Sequence, residues 1–201
     1  MIEANALILA PSDWIVPVLT ERLNISYDHI KVWAAGIDHE KWNSNRFPRQ
    51  NTIIYLKSNT TQELSVIKEY LTSINRNCII MKYGYYTERE FRKNLEISDS
   101  AIWLGETESQ GIALLESWSM GVPTLVRKRS TYFDPIVKRN FEASAAPYLD
   151  STCGQFSEYD SIQISDMFSF FSTIDQRDPR KFVIENFTNE IAVKKLISII
   201  L

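Results

Sequence analysis

A chain of 201 residues, 44% of them hydrophobic, is long enough to bury a sizeable core as a single domain. Its 22 basic and 25 acidic residues leave a net charge of −3, and an isoelectric point near 5.5 gives no general attraction to nucleic acid or to anionic membranes. No apolar run approaches the length of a membrane span, and the first residues show no basic-then-apolar export pattern. The two cysteines, Cys78 and Cys153, and the two histidines, His29 and His39, are too scattered for metal-ligand spacing. Buried free thiols in a reducing, cytoplasmic setting are the expectation.

Residues 5–10 form a short apolar run ending at Pro11-Ser12, which reads as a strand followed by a helix cap. Ser12 is placed to cap a helix over residues 13–23, although Pro17 then falls beyond the first turn, where proline is tolerated. Residues 30–33 read as a second strand, followed by a turn in which Gly36 permits a tight backbone. The polar stretch 43–50, with Pro48, reads as a loop. A buried-type strand over 52–56 ends at Lys57. In an open parallel sheet ligands collect at the C-terminal ends of strands, so Lys57 can meet a phosphate there or serve as a surface lysine.

Leu64, Ile67 and Leu71 mark an amphipathic helix over 62–74, and residues 78–81 the next strand. At its end, Tyr83-Gly84-Tyr85-Tyr86 is an aromatic turn suited either to stacking on a nucleobase or to capping the core. A helix over 88–97 and a strand over 101–104 follow. After the strand at 124–126, Arg127-Lys128-Arg129 reads as a solvated basic loop. Residues 144–149 read as a sixth strand, Cys153-Gly154 as a turn, and Asp178-Pro179-Arg180 as a break. Helices are marked by Ile164, Met167, Phe168, Phe171 and Ile174, and then, capped by Thr188, by Ile191, Val193, Leu196, Ile197 and Ile200. The alternation of strand and helix predicts an α/β fold: a Rossmann-like, doubly wound, mainly parallel sheet of about six strands.

The densest segment is 107–126, Thr-Glu-Ser-Gln-Gly-Ile-Ala-Leu-Leu-Glu-Ser-Trp-Ser-Met-Gly-Val-Pro-Thr-Leu-Val. A polar turn carrying Glu108, Ser109, Gln110 and Gly111 opens a helix that Gly121 and Pro123 stop. Between Glu108 and Arg127 the only charge is Glu116, in a helix apolar nearly all round and so expected to be buried. A lone carboxylate there is costly unless something hydrogen-bonds it. The free N–H groups of Gly111, Ile112 and Ala113 make a natural anion seat. The segment can thus hold a phosphate at the helix tip and a hydroxyl-bearing group at Glu116.

Glu108 and Glu116, with Gly111 and the Gly-Val-Pro-Thr ending, resemble the donor-site signature of family 4-type glycosyltransferases (glycosyl transferases group 1), enzymes of GT-B fold. The resemblance runs over residues 5–201 and is to the C-terminal, donor-binding half. Residues 1–28 resemble the linker from an N-terminal half, which is expected to be missing here. The resemblance implies that Glu108 lies near the donor sugar and diphosphate. Gly111 and Ile112 give N–H groups to the diphosphate, with Ser109 and Gln110 in the same binding segment, and Glu116 binds the ribose hydroxyls. It implies a cleft-facing loop at Gly36, base contacts at Tyr83, Gly84 and Tyr85, and Glu108 and Lys57 as the catalytic pair. This chain departs from the family in offering Lys57 as the one credible phosphate cation where two are usual.

The implied activity is transfer of a sugar from a nucleotide-diphosphate donor to a sugar, lipid or protein acceptor, with retention and without a metal or other cofactor. The acceptor would be held by an N-terminal partner domain. The alternative is a non-catalytic nucleotide-sugar-binding module, or a half-enzyme that works only with another chain; a sugar-nucleotide epimerase is a weaker third possibility.

Overall fold

The computed structural model describes residues 6–44, 50–57 and 61–201. Asn5, the loop segment 45–49 with Pro48, and residues 58–60 after Lys57 lie outside the described residues. The elements run β1 (Ile8–Ala10), α1 (Ile15–Leu23), β2 (Ile30–Val32), β3 (Asn51–Leu56), α2 (Thr61–Ser73), β4 (Asn77–Lys82), α3 (Glu88–Glu96), β5 (Ser98–Leu104), α4 (Ile112–Ser119), β6 (Thr124–Val126), β7 (Thr131–Asp134), β8 (Arg139–Glu142), β9 (Gly154–Phe156), α5 (Ile164–Ser172), α6 (Pro179–Asn186) and α7 (Asn189–Ile200).

Five of these strands form one parallel sheet in the order β4-β3-β5-β6-β9. Side chains alternate across it, so the central strands are apolar on both faces. Ile53, Tyr55, Ala101, Trp103 and Val126 face Phe91 and Leu95 of α3, Leu114, Leu115 and Trp118 of α4, and Val183 of α6. Ile54, Ile102, Leu104 and Leu125 face Ile67 and Leu71 of α2 and Met167 and Phe170 of α5. The chain leaves β3 toward β4 over one face and returns to β5 over the other, so strand order reverses between β3 and β5. The C-terminal ends of those two strands therefore border the crevice where such sheets bind ligands.

Among the described residues the sheet has five strands where about six were expected, and its last strand is not residues 144–149. Residues 144–149 run as a loop: Ser144 Oγ accepts from Ala146 N at 3.1 Å and Pro147 interrupts any ladder. The edge strand instead starts at Gly154, where an added Cβ would stand 1.9 Å from Thr124 O, so only glycine allows β9 to approach β6. β1 and β2 pair with each other in a separate parallel ribbon, and β7 and β8 form an antiparallel hairpin that the sequence reading did not foresee.

Helix α1 begins at Ile15, two residues later than expected, with no side-chain cap. Pro17 thereby falls in the first turn, where its missing N–H costs nothing. Ser12 does other work, donating its hydroxyl to Ser109 O at 2.6 Å. Asp178-Pro179 starts a helix rather than breaking one: Asp178 accepts from Lys181 N and Pro179 takes the first helical position. In α5, Phe168 and Ile164 are exposed while Met167 and Phe170 are buried, and α7 buries Ala192 while exposing Val193, Ile197 and Ile200. A capping box of Thr87 and Glu90 starts α3 and fixes the aromatic turn before it.

Candidate functional site

Lys57 ends β3 and Glu108 follows β5, so both stand at the reversal point of the sheet. Their side chains meet: Lys57 Nζ lies 2.7 Å from Glu108 Oε1, with 27% and 13% of the two side chains exposed. The same ammonium sits 4.7 Å from the centre of the Tyr83 ring, a cation–π contact on an exposed ring. Lys82 lies over Tyr85 at the same distance. Gly84 between them has φ +80° and no atom within 4 Å of an added Cβ, so the turn requires its backbone angle rather than its small size.

The loop carrying Glu108 is pinned through its main chain. Trp14 Nε1 donates to Glu108 O at 3.0 Å, Ser12 Oγ to Ser109 O, and Glu108 N to Ser144 O at 2.8 Å. Gln110 is buried and its amide is fully used by Ala35, whose N–H it accepts and whose carbonyl it binds at 2.8 Å. Gln110 therefore staples the loop to the segment before Gly36 instead of reaching outward. At Gly36 an added Cβ would come within 2.6 Å of Asn189 Cα, so this glycine lets its loop pack on the start of α7.

Gly111 caps α4 in a left-handed conformation, φ +79°, with no side-chain cap and no acidic residue in the first turn. The N–H groups of Gly111, Ile112 and Ala113 have no acceptor among the described residues, which leaves the positive end of the helix open. The helix is not buried all round, as its sequence implied. Leu114, Leu115, Trp118 and Ser119 are buried, whereas Ile112 is exposed and Ala113 and Glu116 are half-buried. The accessible strip runs from the helix tip to Glu116, one turn along.

The Glu116 carboxylate has no hydrogen-bond partner among the described residues, its main-chain oxygen accepting from Met120 N. Burial, and then the nearby Glu88 carboxylate, push its carboxyl up to about 7, with Lys41 acting the other way. Tyr86, the last residue of the aromatic turn, and Tyr55, which sequence reasoning passed over, complete the floor. Tyr86 Oη and Tyr55 Oη are 2.6 Å apart. Tyr55 stacks flat on Trp103, ring centres 3.9 Å apart. Tyr86 lies within electrostatic reach of both Glu116 and Glu108, and burial raises its hydroxyl above the ordinary value. The available signal was position: Tyr55 stands two residues before Lys57, on the same face of β3.

Arg127, expected in a solvated loop, is buried. Its Nη1 lies 3.0 Å from Glu63 Oε2 and its Nη2 2.9 Å from Glu106 Oε1, and Nε and Nη2 both donate to Gly105 O. It holds the end of β5 in place beneath Glu108. Arg129 pairs with the same Glu106 at 2.9 Å.

Comparison with protein-family models and with curated proteins finds no match. Solved structures do match. A glycosyltransferase from Rickettsia africae superposes with a TM-score of 0.67 at 15% identity, over 97% of this chain and 62% of that one. S. aureus TarM, in a complex with fondaparinux, alpha-GlcNAc-glycerol and UDP, gives 0.63 at 12% identity, and a second TarM structure 0.59 at 14%. In both TarM comparisons 96% of this chain covers 43% of the other. The chain thus spans about three fifths of the first of these proteins and under half of the second. At such identities the likeness is one of fold: this chain is folded as a Rossmann-like domain of the GT-B type found in glycosyltransferases.

Proposed function

We propose that this chain is the donor-binding half of a glycosyltransferase and holds a nucleotide-diphosphate sugar at the reversal point of its sheet. The observation that carries the reading is the set of ligand-seeking groups left on one rim. These are the Lys57 ammonium, the three N–H groups at the tip of α4, and the half-buried Glu116 carboxylate, which has no hydrogen-bond partner among the described residues. The diphosphate would lie between Lys57 and Gly111–Ile112, the ribose at Glu116, and the base toward Tyr83-Gly84-Tyr85. In transfer, the bond between the anomeric carbon and the diphosphate oxygen breaks and its electron pair stays on the phosphate. Lys57 and the helix N–H groups stabilise that charge, the role a metal fills elsewhere. The acceptor hydroxyl bonds to the anomeric carbon and its proton passes to the departing diphosphate oxygen, with retention of configuration.

The spans of 62% and 43% favour a form in which the acceptor is bound by a further domain or chain. The UDP in the TarM complex makes uridine nucleotides the first to test. The experiment is a thermal-shift screen of UDP, GDP, ADP and TDP, each with and without an attached sugar. A ligand at a hundred times its dissociation constant adds about 2.7 kcal/mol. Silence across the whole series at millimolar concentration would overturn the reading.

A further inference from the structure

Trp103 Nε1 is a buried donor without a partner. Buried polar groups are nearly always satisfied, so an exception at a candidate site calls for a cause. The side chain is 1% exposed and its stack on Tyr55 fixes the plane of the indole. Beside it lies Gly105. A methyl group added there would stand 3.7 Å from Trp103 Nε1 and 3.9 Å from Glu108 Oε1, with no closer contact than 3.4 Å to the indole. The unused donor and a carboxylate oxygen therefore face one gap that glycine leaves open. The gap is held in shape, because Arg127 clamps Gly105 O. Glu108 Oε1 is also the oxygen that Lys57 holds at 2.7 Å.

We propose that Trp103 is a positioning residue for Glu108: when a diphosphate takes the Lys57 ammonium, the Glu108 carboxylate crosses the gap at Gly105 and accepts the Trp103 indole N–H. This rests on the reading of Lys57 as the diphosphate-binding cation. Lys57 carries one charge and a diphosphate competes for it with more than one. Once Lys57 turns to the phosphate, a largely buried carboxylate is left next to a like charge. Repulsion drives it away, and a donor already waits on the far side of Gly105. The new bond is charge-assisted. The empty site is thus closed by its own ion pair, with the cost carried at Trp103, and the loaded site satisfies both groups. Glu108 then stands fixed beside the sugar instead of swinging free.

The test follows the indole N–H resonances of the ¹⁵N-labelled full chain during titration with inorganic pyrophosphate and with UDP. The Trp103 signal is assigned through its contact with the Tyr55 ring. It should move strongly downfield at saturation in the wild type and stay put in Glu108→Ala. Gly105→Ala places a methyl in the gap; it should abolish the shift and weaken pyrophosphate about tenfold while leaving the melting temperature nearly unchanged. If Lys57-dependent binding occurs and the Trp103 signal does not move, the handover is wrong and the donor-site reading stands. If neither probe binds, both fall.

Discussion

Replacing Glu116 by glutamine should stabilise the empty protein and cost it its ligand. The folded protein keeps the Glu116 proton up to about pH 7, whereas the unfolded chain releases it near 4.5. Between those values the native state binds more protons, so its stability falls as pH rises from 4.5 through 7 and stays low above. At about 1.4 kcal/mol per pH unit the gap sets a ceiling of about 3 kcal/mol. Partial exposure of the carboxylate admits water and roughly halves that, to about 1–2 kcal/mol. Glutamine carries no charge to desolvate. The variant should therefore melt about 3–6 °C higher than the wild type at pH 8, and no higher at pH 4.5. Its affinity for a nucleoside diphosphate should fall at least tenfold, since a hydrogen bond to a charged group is worth about 1.5–3 kcal/mol. Thermal melts at a series of pH values, with calorimetric titration of the nucleotide, check both halves. A variant that melts lower at pH 8 and binds as before would show Glu116 to be structural and remove it from the site.

Lys57→Met should abolish detectable diphosphate binding and cost about 1–3 kcal/mol of stability, because the largely buried Glu108 carboxylate loses its partner; urea denaturation with and without pyrophosphate separates the two. Arg127→Met should cost more, over about 3 kcal/mol, because Gly105 O loses both its donors and the Glu63 and Glu106 carboxylates lose a buried partner; an unchanged urea midpoint would refute its structural assignment. The 201-residue chain by itself should bind a sugar nucleotide but transfer the sugar negligibly, since positioning an acceptor contributes roughly 7–11 kcal/mol of a barrier. Robust turnover of a labelled donor by the chain alone would place the acceptor site within these residues.

What could be read from the sequence was what neighbouring residues dictate to one another. Lys57 at a strand end, Gly111 before an uncapped helix and Glu116 as the sole charge in α4 each follow from spacing alone. What could not be read depends on partners far along the chain. Gln110 looked like a binding residue, but Ala35, 75 positions away, takes its amide. Arg127 looked solvated because Glu63 and Glu106 approach it only once the sheet has formed. In 144–149 the burial was legible, since Ala145 and Ala146 are in the core, but burial does not fix conformation, and a Ser144 turn with Pro147 made a loop. The β7–β8 hairpin did carry a local signal. Asp134-Pro135 is a turn former, and Asp134 Oδ1 accepts from Ile136 N and Val137 N.

The two ends of the sheet are finished in opposite ways, and the contrast bears on where the ligand goes. At the N-terminal end a cavity of about 260 Å³ is lined by Arg76, Arg177 and Arg180, which at first sight invites an anion. Most of those donors are already engaged, although Arg177 Nε is buried with no partner among the described residues. Arg177 donates to Ser151 O, Gly154 O, Gln155 and Thr173, Arg180 to Ser119 O, Trp42 O and His39 O, and Arg76 to Asp99 and Ser100. Arg177 and Arg180 tie off carbonyls at strand starts and helix ends, and Arg76 pairs with a carboxylate and a hydroxyl, so these groups hold this end together. At the C-terminal end the accounting is left open: an uncapped helix, an indole donor without an acceptor, and a carboxylate held near neutral pH by burial. Each costs the empty protein something, and the proposed ligand would relieve all three: an anion at the helix tip, hydroxyl groups at Glu116, and the Glu108 carboxylate released to Trp103. On the proposed reading, the helix tip, Glu116 and Lys57 at the C-terminal end are where a ligand binds, and a nucleotide titration of the Lys57 and Glu116 variants tests that placement.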